Sequence, residues 1–306
     1  MRHVIPPSAP GEEALGEPLR RQCDQVGWAI LGYLALTFLS LLLFPPAGDR
    51  SAARELFSTL LSAGCLLLPY WLLGRRAPLP LGKPRPGATV PTLLAGMAVA
   101  SLGSLLSSLL QLVMGRAGWE LEEVQPAFSQ SPLLNLVILL GMTLCAALAE
   151  EIAFRGFLLG FLRRWGDGFA IVLSAVVFAF SHSTLLQALP AFLSGLAFGY
   201  FTLVSRSLWP SVAAHLCYNG LAIAVNQLSQ ALGGKAGTVF GLLWALLLLA
   251  GGGVSLALCR RRRLAVSLSR GAPPLSPREK IGAVLASPVL MMAFLCLLVN
   301  LAGSVS

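Results

Sequence analysis

The sequence has few charged residues for its length. Asp, Glu, Lys and Arg make up 11% of its 306 residues, while 56% are hydrophobic. A water-soluble domain carries about a quarter of its residues as charged groups. A chain with less than half of that share cannot cover itself with a solvated surface, so a soluble globular enzyme is excluded. The apolar runs are continuous and rich in Leu rather than alternating, which favours membrane-spanning helices over a β-barrel.

The apolar runs are bounded by charges, prolines and glycines. They predict an all-α fold, a polytopic transmembrane helix bundle of about eight or nine spans. Residues 1–25 are polar and proline-containing, and we expect a tail that is disordered or lies on the surface. The expected spans are 26–44, 56–73, 91–115, 132–150, 169–183, 186–204, 208–228, 238–259 and 281–302.

The basic residues are distributed unevenly between the loops. The chain has 22 Lys and Arg against 13 Asp and Glu, a net charge of +9. With the N-terminus in the cytoplasm, 18 of the 22 fall in cytoplasmic segments, and the other four are Arg50, Arg54, Arg116 and Lys235. This asymmetry is the positive-inside pattern of multi-span proteins. The excess charge therefore indicates orientation rather than nucleic-acid binding, and predicts a multi-pass protein of the cell membrane with a cytoplasmic N-terminus.

Several motifs of membrane hydrolases are absent. No His-Glu-x-x-His segment occurs, which excludes zinc peptidases of that pattern. The three aspartates, Asp24, Asp49 and Asp167, lie outside the expected spans, so an intramembrane aspartyl dyad is excluded. No Gly-x-Ser-x-Gly elbow is present, and the six cysteines form neither a Cys-x-x-Cys pair nor a disulfide framework.

Ionisable residues inside the spans are concentrated in one third of the chain. Eleven of the thirteen acids lie in the tail or in loops, and the remaining two are the adjacent Glu150 and Glu151. Of the three histidines, His182 and His215 fall within spans. Charged side chains in a bilayer cost several kcal/mol unless they are paired or hydrated, so each is a candidate functional residue. The polar residues between 150 and 219 therefore mark the expected site.

Helical spacing separates the two glutamates. Glu151 and Arg155 are four residues apart and share a face, so we expect an ion pair that supports the structure. Glu150 points about 100° away and is free to face a reactant. If its helix continues to Arg163, Glu150 lies roughly 20 Å inside; a helix that ended at 151 would leave it at the surface.

Two further polar stripes have the same spacing. Phe178 and His182 are four apart on one expected span, and His215 and Asn219 are four apart on another. A carboxylate, two histidines and an asparagine suit hydrolysis by an activated water. Glu150 would take the proton from water and His182 would help to hold the water. Donors on His215 and Asn219 would face the developing oxyanion.

Two alternatives use the same residues. Glu150, His182 and His215 form a His₂Glu set that could hold zinc with an open coordination position. A non-catalytic immunity factor or transport subunit could instead use them as a scaffold or a proton relay. The matching half-helices and internal repeat that are usual in transporters are not evident.

The three motifs together resemble those of the CAAX-processing and bacteriocin-processing (CPBP) family of intramembrane glutamic endopeptidases. Glu-Glu-x-x-x-Arg, Phe-x-x-x-His and His-x-x-x-Asn occur in that order on separate spans, within residues 133–225. The resemblance implies a CAAX prenyl protease-like enzyme in which Glu150 and His182 activate water. His215 and Asn219 match the positions assigned to the oxyanion, and Glu151, Arg155 and Phe178 are supporting residues.

The resemblance also sets expectations for organisation and partners. Residues 131–230 would be the catalytic core, between N-terminal transmembrane helices at 26–130 and C-terminal helices with a basic cytoplasmic loop at 231–306. The expected partners are the lipid bilayer and a peptide or lipidated protein substrate. No cofactor is expected. Processing of prenylated proteins, bacteriocin maturation and self-immunity all remain open as the biological role.

Overall fold

The computed structural model describes residues 12–45, 50–272 and 274–305. In these ranges the chain is a bundle of ten helices, which confirms the all-α fold. The helices are α1 (Glu12–Leu43), α2 (Ala52–Gly74), α3 (Thr89–Arg116), α4 (Pro132–Trp165), α5 (Asp167–Phe180), α6 (Leu185–Ser205), α7 (Trp209–Leu232), α8 (Gly234–Arg262), α9 (Pro277–Leu285) and α10 (Pro288–Ala302).

The expected number of spans, eight or nine, is too high. Six of the described helices are long and apolar enough to cross a membrane, or seven if α9 and α10 count as one broken span. These two meet at an angle of 74°, because Pro288 opens a new helix after the cap at Ser287. Helix α5 has 14 residues and is about 21 Å long, which is shorter than the hydrocarbon core.

Helix α1 corrects the prediction of a polar tail at 1–25. It begins at Glu12 and is therefore helical over the described part of that segment. Leu19 and Cys23 are fully buried, because they repeat at the helical interval of four residues on the face turned to the bundle. Gln22 donates to the Phe161 carbonyl and accepts from the Trp165 indole, each at 2.6 Å. Residues 1–11 lie outside the described ranges.

The loops gather at two opposite ends of the bundle. The loops 75–88, 206–208, 263–272 and 274–276 form the basic end together with the turn at Gly166. There the Leu208 amide donates to the Pro80 carbonyl and the Ala272 amide to the Arg164 carbonyl. The loop 117–131 and residues 303–305 form the far end, where Leu121 and Val305 pair as an isolated bridge.

The positions of the basic residues need one correction. In the described ranges sixteen Lys and Arg lie at or near the basic end and four at the far end. Arg155 belongs to neither group, because it is buried in the centre of the bundle. Arg2 lies outside the described residues.

Close packing of α5 on α6 holds the centre of the bundle. A Cβ atom added to Gly195 would lie 2.9 Å from the Cβ of Ala175, so glycine lets the two backbones approach. Phe154, Phe178 and Trp165 are among the largest fully buried side chains, and they fill the space between α4 and α5. The polar cluster packs directly against this layer of aromatic side chains.

Candidate active site

Helix α4 continues without interruption from Pro132 to Trp165, which confirms that Glu150 lies deep in the bundle. Its hydrogen bonding changes to π-helical at Gly141–Cys145 and again at Glu151–Leu158, on either side of Glu150. Such wide turns frequently occur at functional sites because they displace side chains from the regular register. Nothing in the residue pattern indicates them.

The structure brings all the polar motif residues into one region of the bundle, at or behind the wall of a single cavity. Helix α4 supplies Glu150, Glu151 and Arg155, and α5 supplies Phe178, with His182 in the turn that follows. Helix α7 supplies His215 and Asn219.

Glu151 and Arg155 form a buried ion pair. Oε1 of Glu151 lies 3.0 Å from Nη1 of Arg155, and both side chains are almost completely excluded from solvent. The contact lies outside hydrogen-bond geometry, and in the described residues neither guanidinium Nη atom has a hydrogen-bond partner. The guanidinium carbon instead lies 4.1 Å from the Phe178 ring centroid and 5.4 Å from that of Phe198. Charge pairing and the ring faces therefore hold Arg155 in place.

His215 connects the two glutamates. Its Nδ1 lies 3.0 Å from Oε1 of Glu151, and its Nε2 lies 3.7 Å from Oε2 of Glu150. Because a carboxylate can only accept a hydrogen bond, Nδ1 donates to Glu151 and Nε2 is directed to Glu150. Phe198 stacks on the ring with a centroid separation of 5.6 Å. The imidazole is thereby fixed in both position and tautomer at Nδ1.

The cluster contains two acidic side chains and one arginine. Glu150 and Glu151 carry two negative charges when ionised, and Arg155 supplies one positive charge. An uncompensated charge in the interior of a bundle is costly. Nε2 of His215, which lies 3.7 Å from Oε2 of Glu150, is the nearest basic group to that carboxylate.

His182 and Asn219 have one hydrogen bond each to a backbone carbonyl. Nδ1 of His182 donates to the carbonyl of Phe178 at 2.9 Å, so the lone pair of the neutral ring is on Nε2. Nδ2 of Asn219 donates to the carbonyl of Met142 at 3.1 Å, in the first π-helical turn. An amide has two N–H groups, so one remains for a ligand.

A cavity of about 990 Å³ lies beside the cluster. Its wall includes all four residues expected to be catalytic: Glu150, His182, His215 and Asn219. Glu151 and Arg155 are not part of the wall and lie behind it. The Glu150 side chain keeps 24% of its surface exposed, whereas that of Glu151 keeps none. A reactant in the cavity can therefore reach the first glutamate and not the second.

The zinc alternative needs three side chains that converge on one ion. Within the part of the chain that the structure describes, no three His, Cys, Asp or Glu side chains are grouped closely enough to hold a metal ion. Glu150, His182 and His215 share the cavity wall without converging on one point as a ligand set.

Sequence reasoning missed three residues around the site. Phe198 of α6 contacts both Arg155 and His215, yet it is one apolar residue in an apolar span. Tyr218 and Ser104 share a hydrogen bond of 2.6 Å that joins α7 to α3 beside the cavity. Tyr218 directly precedes the motif residue Asn219. A polar aromatic residue at that position could have indicated a further residue of the site.

A comparison with protein families identifies this part of the chain. Residues 132–221 match the family model described as type II CAAX prenyl endopeptidase Rce1-like. The matched segment contains every motif residue described above, from Glu150 to Asn219. No curated protein and no solved structure matches the chain. Through the segment that carries its site, the chain is therefore similar to the type II CAAX prenyl endopeptidases of the Rce1-like family.

Proposed function

We propose that the protein hydrolyses peptide bonds of membrane-associated or lipidated substrates by means of a water molecule activated by Glu150. The observation that carries this proposal is the division between the glutamates. Glu150 faces a large cavity together with His182, His215 and Asn219, whereas Glu151 is buried against Arg155. Environment divides two neighbouring carboxylates into one that is available for proton transfer and one that is not.

The proposed reaction needs no covalent intermediate. Glu150 removes a proton from a water molecule in the cavity, and Nε2 of His182 accepts a hydrogen bond from the same water. The water oxygen bonds to the carbonyl carbon of the scissile peptide, and the carbonyl oxygen becomes an oxyanion. Nε2–H of the protonated His215 and the second N–H of Asn219 donate to that oxyanion. Collapse breaks the C–N bond, and the proton on Glu150 passes to the leaving amine.

The proton on His215 determines its role in this scheme. Glu151 accepts from Nδ1 at 3.0 Å, which fixes the orientation of the ring. A protonated Nε2 is a donor, and a donor is what the oxyanion requires. Glu151 therefore acts through His215, as a positioning residue, and Arg155 supports Glu151 through the buried ion pair.

We also propose that the basic end of the bundle faces the cytoplasm of a cell membrane. Sixteen described basic residues lie at or near this end, against four at the far end. Cytoplasmic loops of multi-span proteins carry this excess. The described N-terminal helix begins at the basic end, so this orientation puts the N-terminus in the cytoplasm.

Comparative profiling of protein termini in membranes tests the function even though the substrate is unidentified. Cells that carry the protein are compared with cells that carry Glu150→Gln, a change that keeps the shape of the side chain. We expect a set of new N- and C-termini that depends on Glu150. The matched control is Glu122→Gln in the exposed far-end loop, which should leave these termini unchanged.

The same experiment separates the alternatives. Identical termini in cells with the native chain and with Glu150→Gln, together with full biological activity of the variant, would overturn the peptidase assignment and favour a non-catalytic role. Metal analysis of the purified, active protein is the companion measurement. Stoichiometric zinc whose removal abolishes cleavage would contradict the metal-free reaction.

A further inference from the structure

The cavity beside the site occupies one half of the bundle. On α3 its wall runs from Ala100 to Gln111, although the helix begins at Thr89 of the basic end. On α8 the wall stops at Leu248, 14 residues and about 21 Å before Arg262. On both helices the residues nearest the basic end take no part in the wall.

Helix α7 shows the same asymmetry. His215 is the cavity residue nearest the basic end and lies about 9 Å from Trp209. From there the wall continues along α7 to Gln230, close to its far end. His215 and the other reactive groups are therefore the inner end of a passage that runs towards the far end of the bundle.

Tight packing closes the bundle on the basic side of the site. Ser211 and Thr202 share a hydrogen bond of 3.0 Å between α7 and α6, and both are buried. A Cβ atom added to Gly96 of α3 would lie 3.1 Å from the Cβ of Ala214. Helices α3, α6 and α7 are thus in close contact on the basic side of His215. The described residues there leave no room for a polypeptide.

Two polar stripes line the passage. On α3 serines recur every three or four residues and are followed by a glutamine: Ser101, Ser104, Ser107, Ser108 and Gln111. On α7 amides and a serine continue beyond the motif: Asn219, Asn226, Ser229 and Gln230. Polar side chains at membrane depth lie against protein or against water rather than lipid. Donors and acceptors on both walls also match the backbone groups of an extended peptide.

The far end of the passage has a polar rim. Glu123 and Gln125 of the loop 117–131 contribute to the wall and are exposed. Gln125 accepts a hydrogen bond from Asn226 of α7, which holds the loop against the rim. Gln230 and Thr238 are exposed on the opposite side of the rim. Water and a hydrophilic chain can therefore reach the cavity from this end.

We infer that the substrate reaches the active site from the extracytoplasmic side of the membrane, as an extended polypeptide segment lying between the polar stripes of α3 and α7. The passage opens at the far end of the bundle, and the positive-inside asymmetry makes the far end extracytoplasmic. The inference deepens the proposed function, on which it rests, because it defines the substrate class. The substrate is a chain segment presented at the outer face, rather than a lipidated terminus on the cytoplasmic face.

Thiol labelling in intact cells tests the side of access. Cysteine is introduced singly into the full chain at Gln230 (rim), Ser104 (inner passage) and Ser267 (exposed loop at the basic end). The reagent is a membrane-impermeant maleimide, which reacts with thiolates in water. We expect labelling of Gln230→Cys and Ser104→Cys in intact cells, and of Ser267→Cys after permeabilisation alone. The unsubstituted chain gives the background from its six native cysteines.

A control on the lipid-facing surface shows whether a cysteine at membrane depth is labelled without facing the passage. Leu247 of α8 is 59% exposed and outside the cavity wall, so Leu247→Cys should remain at background. Failure of the reagent to label Ser104→Cys in intact cells overturns the inference, as does labelling of Ser267→Cys there. Thermal unfolding of each purified variant confirms that it is folded.

Labelling does not depend on catalysis, so it separates this inference from the proposed function. Glu150→Gln combined with Ser104→Cys should be labelled as strongly as Ser104→Cys alone. If labelling occurs from the outside while the termini profile shows no effect of Glu150, the passage exists and the peptidase assignment fails. If Glu150-dependent termini appear while Ser104→Cys is labelled from the cytoplasmic side alone, the enzyme stands and the direction of access is wrong.

Discussion

Helix α4 has a cavity side and a buried side, and consecutive glutamates mark the boundary between them. Glu150 faces a cavity of about 990 Å³, and Glu151 is enclosed with Arg155 among aromatic rings. The two residues have the same chemistry and nearly the same depth. What differs is access to solvent and the supply of a fixed positive charge. Glu150 is available to react because, unlike Glu151, it has no arginine paired with it.

Substitution of the cavity-side glutamate should have the largest effect on activity. Glu150→Gln removes the proton acceptor while keeping an amide of the same shape. We expect kcat to fall by at least about 10²–10⁴-fold, the usual contribution of a positioned general base. The midpoint of thermal unfolding should stay near that of the native chain, because the amide of glutamine can keep the long 3.7 Å contact with Nε2 of His215. Cleavage kinetics and thermal unfolding in the same detergent measure the two quantities.

Substitution of the buried-side glutamate should affect stability as well as activity. Glu151→Gln leaves Arg155 as an unpaired buried charge, which typically destabilises a protein by about 3–5 kcal/mol. We therefore expect a lower yield and a lower unfolding midpoint together with lower activity. The double variant Glu151→Gln/Arg155→Met, which removes both charges, should unfold less readily than the single one. A clean loss of cleavage in a Glu151→Gln protein of native stability would contradict the supporting role.

Asn219 lies on the cavity side but also holds the π-helical turn through Met142. Asn219→Ala removes one oxyanion donor, for which losses of about 10²–10³-fold in kcat are usual. KM should change little, because the interaction forms in the transition state. The matched control is Asn226→Ala, farther along the same wall, which should raise KM with kcat maintained. Equal effects on KM from both variants would remove Asn219 from the reaction and make it a binding residue.

The residues on the cavity side could be predicted from the sequence, whereas the helix geometry around them could not. Glu150, His182 and His215 stand out because charged or titratable groups are rare in apolar spans, and fixed helical intervals indicate which of them share a face. The same intervals assume a regular helix, so they could not indicate the π-helical turns at Gly141–Cys145 and Glu151–Leu158. Those turns depend on packing against other helices, which no local pattern contains.

The errors in the fold have a related cause. Hydropathy sums over a window, so it joined α9 and α10 across the bend at Ser287. It also counted α5 as a span although the chain turns back after 14 residues. That early turn places His182 at the level of Glu150 rather than at the surface. Polar residues before 26 were assigned to a tail, although Leu19 and Cys23 form a buried helical stripe there.

Phe198 offers the smallest and most selective test, because it lies between the two sides. Its ring stacks on His215 at 5.6 Å and lies 5.4 Å from the Arg155 guanidinium. Phe198→Leu keeps an apolar side chain and removes the ring, so we expect a loss of about 0.5–1.5 kcal/mol in the free energy of unfolding. The rate of cleavage should fall modestly as well, because the imidazole of His215 loses the ring that fixes its position. The matched control Phe201→Leu, on the same helix and remote from Arg155, should shift stability alone. An unchanged rate of cleavage in Phe198→Leu would mean that Glu151 alone positions His215, and that the buried side acts on the cavity side through that single carboxylate.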